Sequence, residues 1–387
     1  FGQLLLFFFP ILFGTFFQQL YNTADAMVVG RFVGKQALAA VGGSTSTLIN
    51  LLVGFFVGLS SGATVVISQF YGARKADKVH WAVHTSIAFS VIGGIIFMIV
   101  GLVGSPWALE TMKTPEDVMG HAVVYIRIYF LGIIVNLVYN MGAGILRAVG
   151  DSRRPLYFLI ASCFTNIILD VLLVAVLGMG VAGAALATIT GQIVSALLTV
   201  YYLFKPKSFC LKPVSFKPDA EILKHVLPLG ISSFLTQVSI VVIMAVMNNV
   251  LVIYGAGSKY GADIPMTVVG IVMKVFQIVI SVVVGIAAGA QPIVGYNYGA
   301  GLWRRVKLIF RTMMAAEFSV GLVSLICFEV FPVQIISVFG SEDGLYNEFA
   351  VLAFRVFLGG IVLCCIQKSC SIFLQSMGKP ALSMLLS

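Results

Sequence analysis

Ten apolar runs, each long enough to cross a bilayer, follow one another along this 387-residue chain. A crossing takes about 20 apolar residues, and the runs cover 4–29, 44–70, 82–108, 121–147, 155–177, 181–204, 222–252, 264–291, 305–331 and 346–376. An eleventh begins near Ala381. Inside hydrocarbon every backbone N–H and C=O must be paired within the chain, so only helices or a closed barrel can span it. The roughly 10-residue polar/apolar alternation of a barrel is missing, which leaves helices. Composition agrees. The chain is 59% hydrophobic and 10% charged, where a soluble domain carries about 25% charge. The expected class is an all-α integral membrane protein. Its net charge of +9 does not point to nucleic acid, because the basic residues stand between apolar runs, where they orient the chain.

Those basic residues cluster after the even-numbered runs: Arg74, Lys75 and Lys78; Arg147, Arg153 and Arg154; Lys205, Lys207, Lys212 and Lys217; Arg304, Arg305 and Lys307; then Lys379. The odd loops hold acids such as Glu116, Asp117, Glu342 and Asp343, with Arg31 and Lys35 as exceptions. The N-terminus is therefore expected in the cytoplasm. The opening run has no small-residue cleavage site and reads as a spanning helix. Both ends, at Phe1 and at Ser387 inside an apolar segment, read as clipped. The six cysteines lie mostly within apolar runs and read as buried free thiols.

The long polar connector, "KPKSFCLKPVSFKPDAE" at 205–221, carries three prolines and reads as an extended tether. It divides the chain into an N-terminal lobe (1–204) and a C-terminal lobe (222–387) cut short in its eleventh helix. The halves repeat each other. "GATVVISQFYGARK" at 62–75 aligns with "GAQPIVGYNYGAGL" at 289–302. Arg127, Gly132 and Gly150 match Arg355, Gly360 and Gly378 at a constant offset of 228, and Pro10 has its counterpart in Pro228. An even number of helices per repeat gives both copies one topology, related by an axis along the membrane normal. By that symmetry the intact protein is expected to have twelve helices. Small residues four apart (Gly54, Gly58 and Gly62; Gly183, Ala187 and Gly191; Gly285 and Gly289) allow close helix contact. Plain packing and a sliding contact between moving helices both fit them.

The first run is unexpectedly polar. Gly14, Gln18, Asn22 and Asp25 fall near one face of a helix. A carboxylate at mid-bilayer costs about 2.5–3.5 kcal/mol on insertion scales, so Asp25 should face protein or water. Run five supplies a partner stripe of Ser162, Asn166 and Asp170, four apart. Both acids stand toward the same end of parallel helices, with depths expected to differ by roughly 5 Å at about 1.5 Å per residue. Runs two and four could add Asn50, Asn136, Tyr139 and Asn140. Two carboxylates close together in a poorly hydrated pocket cannot both ionise cheaply. Such a pair could bind a proton, or hold a small cation with Asn and Tyr oxygens. The competing reading is that they merely satisfy neighbouring helices, through Arg127. In the second half Ile243 stands where Asp25 stands in the first, so ion chemistry is expected in the first half only. Lys274, Glu317 and Lys368 are charges within runs eight to ten. A structural Lys–Glu pair is the first expectation, and Glu317 as a contact for cationic substrate the alternative. His80 and His84 lack a third ligand, so a metal site other than Na+ at Asp25, Asn166 and Asp170 is not expected. No phosphate loop, nucleophile elbow or zinc-protease pattern occurs.

"QQLYNTADAMVVGRFVG", "QFYGARK", "GILRAVGDSRRP" and "AAGAQPIVGYNYGA", in this order and spacing, resemble the MATE family of multidrug and toxin exporters, and within it the small MepA-like bacterial branch. The resemblance implies a twelve-helix fold of two six-helix lobes set as a V around a cavity. It implies antiport of bulky, often cationic drugs or dyes against H+ or Na+, with no cofactor, by a chain expected to be a monomer. It implies a cation site of Asp25, Asn166 and Asp170, with Tyr139 as the helix-four tyrosine. Gln18, Asn22, Asn50, Asn136, Asn140 and Glu317 are candidate cavity residues. The acids that some branches carry on helices seven and ten are missing here. A lipid or lipid-linked oligosaccharide flippase is the alternative, though it should line its cavity with many Arg and Lys. An enzyme would need a catalytic constellation, and a channel a ring of identical filter segments.

Overall fold

In the computed structural model the described residues are 2–112, 114–204, 219–261, 263–337 and 344–386, and they form helices joined by short turns. The order is α1 (Gly2–Phe32), α2 (Lys35–Gly42), α3 (Ser44–Gly72), α4 (Ala76–Thr111), α5 (Glu116–Leu131), α6 (Ile133–Ala148), α7 (Arg153–Asp170), a π-helical stretch (Val171–Val176), α8 (Gly180–Leu203), α9 (Ala220–Ala256), α10 (Asp263–Gly299), α11 (Trp303–Val330), α12 (Pro332–Ser337), α13 (Gly344–Leu358), α14 (Ile361–Ser376) and α15 (Pro380–Leu386). Nine helices among the described residues are long and apolar enough to cross a membrane, and the bent pair α5–α6 makes a tenth. The ten expected runs each fall on one of these spans. Most of the connector, residues 205–218, lies outside the described residues, as do Cys210, Glu342 and Asp343. Asp219 heads α9: its carboxylate accepts from the Glu221 N–H at 2.8 Å, and its own N–H donates to the Thr85 hydroxyl at 3.1 Å.

Two runs expected as single helices are interrupted. Run four breaks at Gly132, where α5 and α6 meet at 50°. Gly132 sits against Ile189 of α8; a β-carbon there would lie 2.6 Å from its side chain. Run ten breaks at Gly359 and Gly360, the equivalent place in the second half. Glycine permits the close approach, and neighbouring helices cover the freed backbone groups. Pro10, Pro106, Pro228 and Pro292 all lie inside long helices, which membrane helices tolerate for the same reason.

Large apolar side chains face outward around the bundle, among them Val103, Trp107, Leu197, Ile253, Ile278 and Leu363. A soluble surface would not present such a belt. Within, one core gathers Leu59, Ile67, Val83, Ile126, Ile133 and Ile145 from the first half. A second gathers Val272, Phe328, Ile336, Phe354, Leu358 and Ile361 from the second half.

The seam between the halves follows the repeat. α3 packs on both α9 and α10, and α1 packs crosswise on α10. Under the alignment of 62–75 with 289–302, Gly72 is equivalent to Gly299 and Gln69 to Tyr296. The structure makes these pairs reciprocal contacts. A β-carbon on Gly72 would lie 2.0 Å from the Tyr296 carbonyl oxygen, and one on Gly299 would lie 2.0 Å from that of Gln69. The equivalent residues Ser68 and Gly295 also touch, with 2.1 Å between the hydroxyl and a β-carbon on the glycine. Gly58 and Gly62 lie against the α9 backbone at Gly230 and Val226, and Gly289 against Phe8 of α1. The small-residue motifs of α3 and α10 therefore form the contact between halves, while Gly191 packs within the first half on Ser162. These contacts gather at the end that carries the basic loops. Beyond Phe55, which stacks edge-on with Phe234 at 5.3 Å, α9 exposes Val242, Ile243, Val246, Val250 and Ile253.

Since neither carbonyl can retreat without shifting a helix, Gly72→Ala and Gly299→Ala should part the halves at this end. Maleimide labelling of a cysteine placed at Ser68 should accelerate several-fold in either variant. Gly270→Ala, where no atom lies within 4 Å of the new methyl, should leave the rate unchanged.

Candidate functional site

Through its far half α1 turns little into the protein. Asp25 and Val29 are buried, whereas Gln18, Gln19, Asn22 and Met27 are exposed. The expected stripe is thus split: its acid points inward and its amides do not. On α7, Asn166 and Asp170 lie one turn apart and both are buried. At Asp170 the helix passes into the π-helical stretch, where the Leu177 N–H bonds to the Leu172 carbonyl at 2.9 Å. Such widened turns occur often beside functional sites.

The Asp25 and Asp170 carboxyls face each other within hydrogen-bonding reach. Neither can donate to the other unless one carries a proton. Around them stand Tyr125 of α5 and Thr188 of α8. The Tyr125 hydroxyl donates to Asp25 Oδ2 at 3.2 Å and also reaches Thr188. Asn166 Nδ2 donates to Thr188 Oγ1 at 3.4 Å, and that hydroxyl donates to the Ala184 carbonyl at 3.1 Å. Four helices therefore converge on one polar knot.

Donors run short there. Asp25 Oδ1, both Asp170 oxygens and Asn166 Oδ1 are buried and accept no hydrogen bond among the described residues. Each such buried acceptor costs about 1–3 kcal/mol when left unpaired. Carboxylate, amide and hydroxyl oxygens are the donor set of a hard cation, and the facing carboxyls are equally able to share a proton. The residues present thus fit either guest.

Arg127 does not serve this knot. It is exposed, and the ion pairs among the described residues are Asp151–Arg154, Lys259–Glu348 at 2.6 Å and Glu329–Arg355 at 3.3 Å. Tyr139 is placed elsewhere: its hydroxyl donates to the Pro155 carbonyl at 3.1 Å, at the opposite end of α7 from Asp170. Tyr125, one turn before Tyr129 on the other arm of the bent span, occupies the position beside Asp25. Asn136 and Asn140 form a separate chain along α6. Asn140 Nδ2 donates to Asn136 Oδ1 at 2.6 Å, Asn136 Nδ2 to the Tyr129 hydroxyl at 3.4 Å, and Gln192 of α8 also meets Tyr129. Gln18 reaches Tyr21, and exposed Asn50 reaches Ser46.

Glu317 is wholly buried on α11, with both oxygens lacking a donor, and it faces Cys365 and Ser369 of α14. The expected Lys–Glu pair does not form. Lys274 is exposed on α10, and Lys368 lies one residue from Ser369, about 100° around the helix at 3.6 residues per turn. Among the described residues no group of three metal-binding side chains occurs, and the five described cysteines are free.

A repeated helical bundle with a buried carboxyl pair has the build of a secondary transporter. The MatE family profile matches residues 10–172 and 231–387. The "Probable multidrug resistance protein YoeA" of Bacillus subtilis (strain 168) is 30% identical over 350 residues, 87% of this chain and 73% of its own length. The "Multidrug export protein MepA" of Staphylococcus aureus (strain NCTC 8325 / PS 47) is 23% identical over 358 residues, 92% of this chain and 76% of its own. A solved structure described as MATE in the bent conformation superposes with a TM-score of 0.91 at 25% identity, over 99% of this chain and 83% of that one. The chain belongs to the MatE family: it is a multi-pass membrane transporter and not an enzyme.

An amide at position 170 would bring two donors into this acceptor-rich knot. Asp170→Asn should fold, and the purified protein should melt a few degrees higher at neutral pH; a lower melting temperature would contradict the shortage of donors.

Proposed function

We propose that this protein exports bulky, mainly cationic compounds across the bacterial plasma membrane, driven by inward movement of H+ or Na+ through the Asp25–Asp170 knot. The carrying observation is the set of four buried oxygens without donors where two carboxyls meet. Asp25, Asp170, Asn166, Thr188 and Tyr125 bind the coupling ion. One elementary charge crossing 100 mV supplies about 2.3 kcal/mol, which is the scale of a useful substrate gradient. We read residues 1–204 and 222–387 as two lobes, joined through the cytoplasmic connector, with the N-terminus in the cytoplasm. The seam at the basic end then closes the cytoplasmic side and leaves the knot on the outward-opening side, as alternating access requires in one of its states. Gln18 and Asn22, exposed on α1, face substrate in that state, and the chain works as a monomer. Drug export as the activity is supported by the names of the YoeA and MepA proteins. We place the chain among small bacterial exporters that include both; its identity to the former, 30% against 23%, is the higher.

Asp25→Asn and Asp170→Asn should each express normally and abolish ethidium efflux from energised cells. Undiminished efflux in either would reject the site. Proteoliposomes given a proton gradient or a sodium gradient alone should show drug uptake with one of the two, which names the ion.

A further inference from the structure

A cavity of about 850 Å³ lies at the basic end of the molecule, away from the carboxyl knot. Its walls come from both halves. Arg147 stands at the end of α6 in the first half, and Arg305 at the start of α11 in the second. Arg147 spends its Nε–H on the Ala143 carbonyl at 3.1 Å. Neither guanidinium forms an ion pair among the described residues. Two unpaired guanidiniums in one part-enclosed space call for an anion, and their planar forks suit phosphate.

Two further features narrow the choice. Asn297 also lines the cavity and is buried; its Nδ2 donates to the Ile293 carbonyl at 2.8 Å, while its Oδ1 has no donor. That atom needs a hydroxyl or an N–H from a guest. Tyr71, Tyr296 and Thr312 add hydroxyl-bearing side chains to the wall, and an apolar strip is formed by Leu6 and Phe7 on α1 and Leu308 and Ile309 on α11. Leu6 and Leu308 keep 52% and 65% of their surface exposed, so the apolar wall continues out of the cavity onto the helix surfaces. Charge, hydrogen-bonding groups and an apolar strip in one cavity describe an amphiphile. A soluble anion would leave the apolar wall unused, and a zwitterionic choline lipid would bring neither net charge nor a donor.

We propose that this cavity binds one anionic phospholipid with a hydroxylated headgroup, taken from the leaflet on the basic side. Its phosphate lies with Arg147 and Arg305, its headgroup hydroxyl meets Asn297, and its acyl chains run over Leu6 and Leu308. Because α1 and α6 form one wall and α10 and α11 the other, the cavity exists only while the halves meet at this end. A ligand that binds one arrangement stabilises it by its differential affinity. The lipid therefore holds this end closed, and the lipid composition of the membrane sets how readily it opens.

The test uses the purified protein in neutral detergent, titrated with short-chain phosphatidylglycerol, with phosphatidylcholine of the same chain length, and with glycerol phosphate. Phosphatidylglycerol should raise the melting temperature saturably and slow thiol labelling of a cysteine at Ser68, and the other two should do neither. Arg305 is exposed, so Arg305→Gln should fold and should weaken the apparent Kd about tenfold, the loss of one charge-assisted contact. Arg147→Gln should weaken it further. An equal rise with phosphatidylcholine would reduce the effect to general solvation, and one with glycerol phosphate would make the ligand a soluble anion. Either result, or an unchanged Kd in Arg305→Gln, overturns the proposal.

Discussion

A carboxylate at membrane depth must be turned away from lipid, and much of this protein is arranged around that demand. Asp25 can stand on α1 because α5 and α7 meet it with Tyr125 and Asp170, while Thr188 of α8 backs Tyr125 and Asn166. That convergence in turn requires the close packing of α7 on α8, where Gly191 lies against the Ser162 carbonyl, with 2.8 Å left for any added carbon. It also requires the bend at Gly132, which sets α5 at its own angle to α6. The result is a pocket richer in acceptors than in donors. In a purely structural polar cluster that imbalance would be a defect; in the function proposed above it leaves room for a positive charge.

The second constraint is the repeat. At the seam, residues that the repeat makes equivalent meet one another. Gly72 against Tyr296 and Gly299 against Gln69 are a reciprocal pair. Close backbone approach at glycine lets helices pack without large side chains between them. Chemistry has not been duplicated with the scaffold. Ile243 stands opposite Asp25 in the alignment, and the second half buries a different acid, Glu317, on a different helix.

Much of this was legible along the chain. The ten runs and the repeat followed from hydrophobicity and spacing, because a span must be apolar for about 20 residues whatever surrounds it, but helix ends did not: α10 runs on to Gly299 and α4 starts at Ala76. Asp25, Asn166 and Asp170 stood out because polar residues in lipid are costly. Tyr125 and Thr188 did not stand out. Tyrosine and threonine are common in membrane helices, and nothing in their own segments marks them as partners of an acid on α1. Run four is broken at Gly132 and its two arms point differently, so Tyr125 on the first arm meets Asp25 while Tyr139 on the second meets the Pro155 carbonyl. The Lys–Glu pair did not form, since Glu317 faces Cys365 and Ser369 of α14, and Lys368 stands about 60° from the first and about 100° from the second around the helix.

The sequence alone determined that this chain is a bundle of membrane helices in two like halves, with acids buried in the first. Those are consequences of solvent and periodicity, and they act on each segment separately. Tertiary structure decided which oxygens surround those acids, which glycines lie on the seam, and where two arginines from distant segments come to share a cavity. Each of these depends on helix rotation and crossing, which are set by packing between segments far apart in the chain.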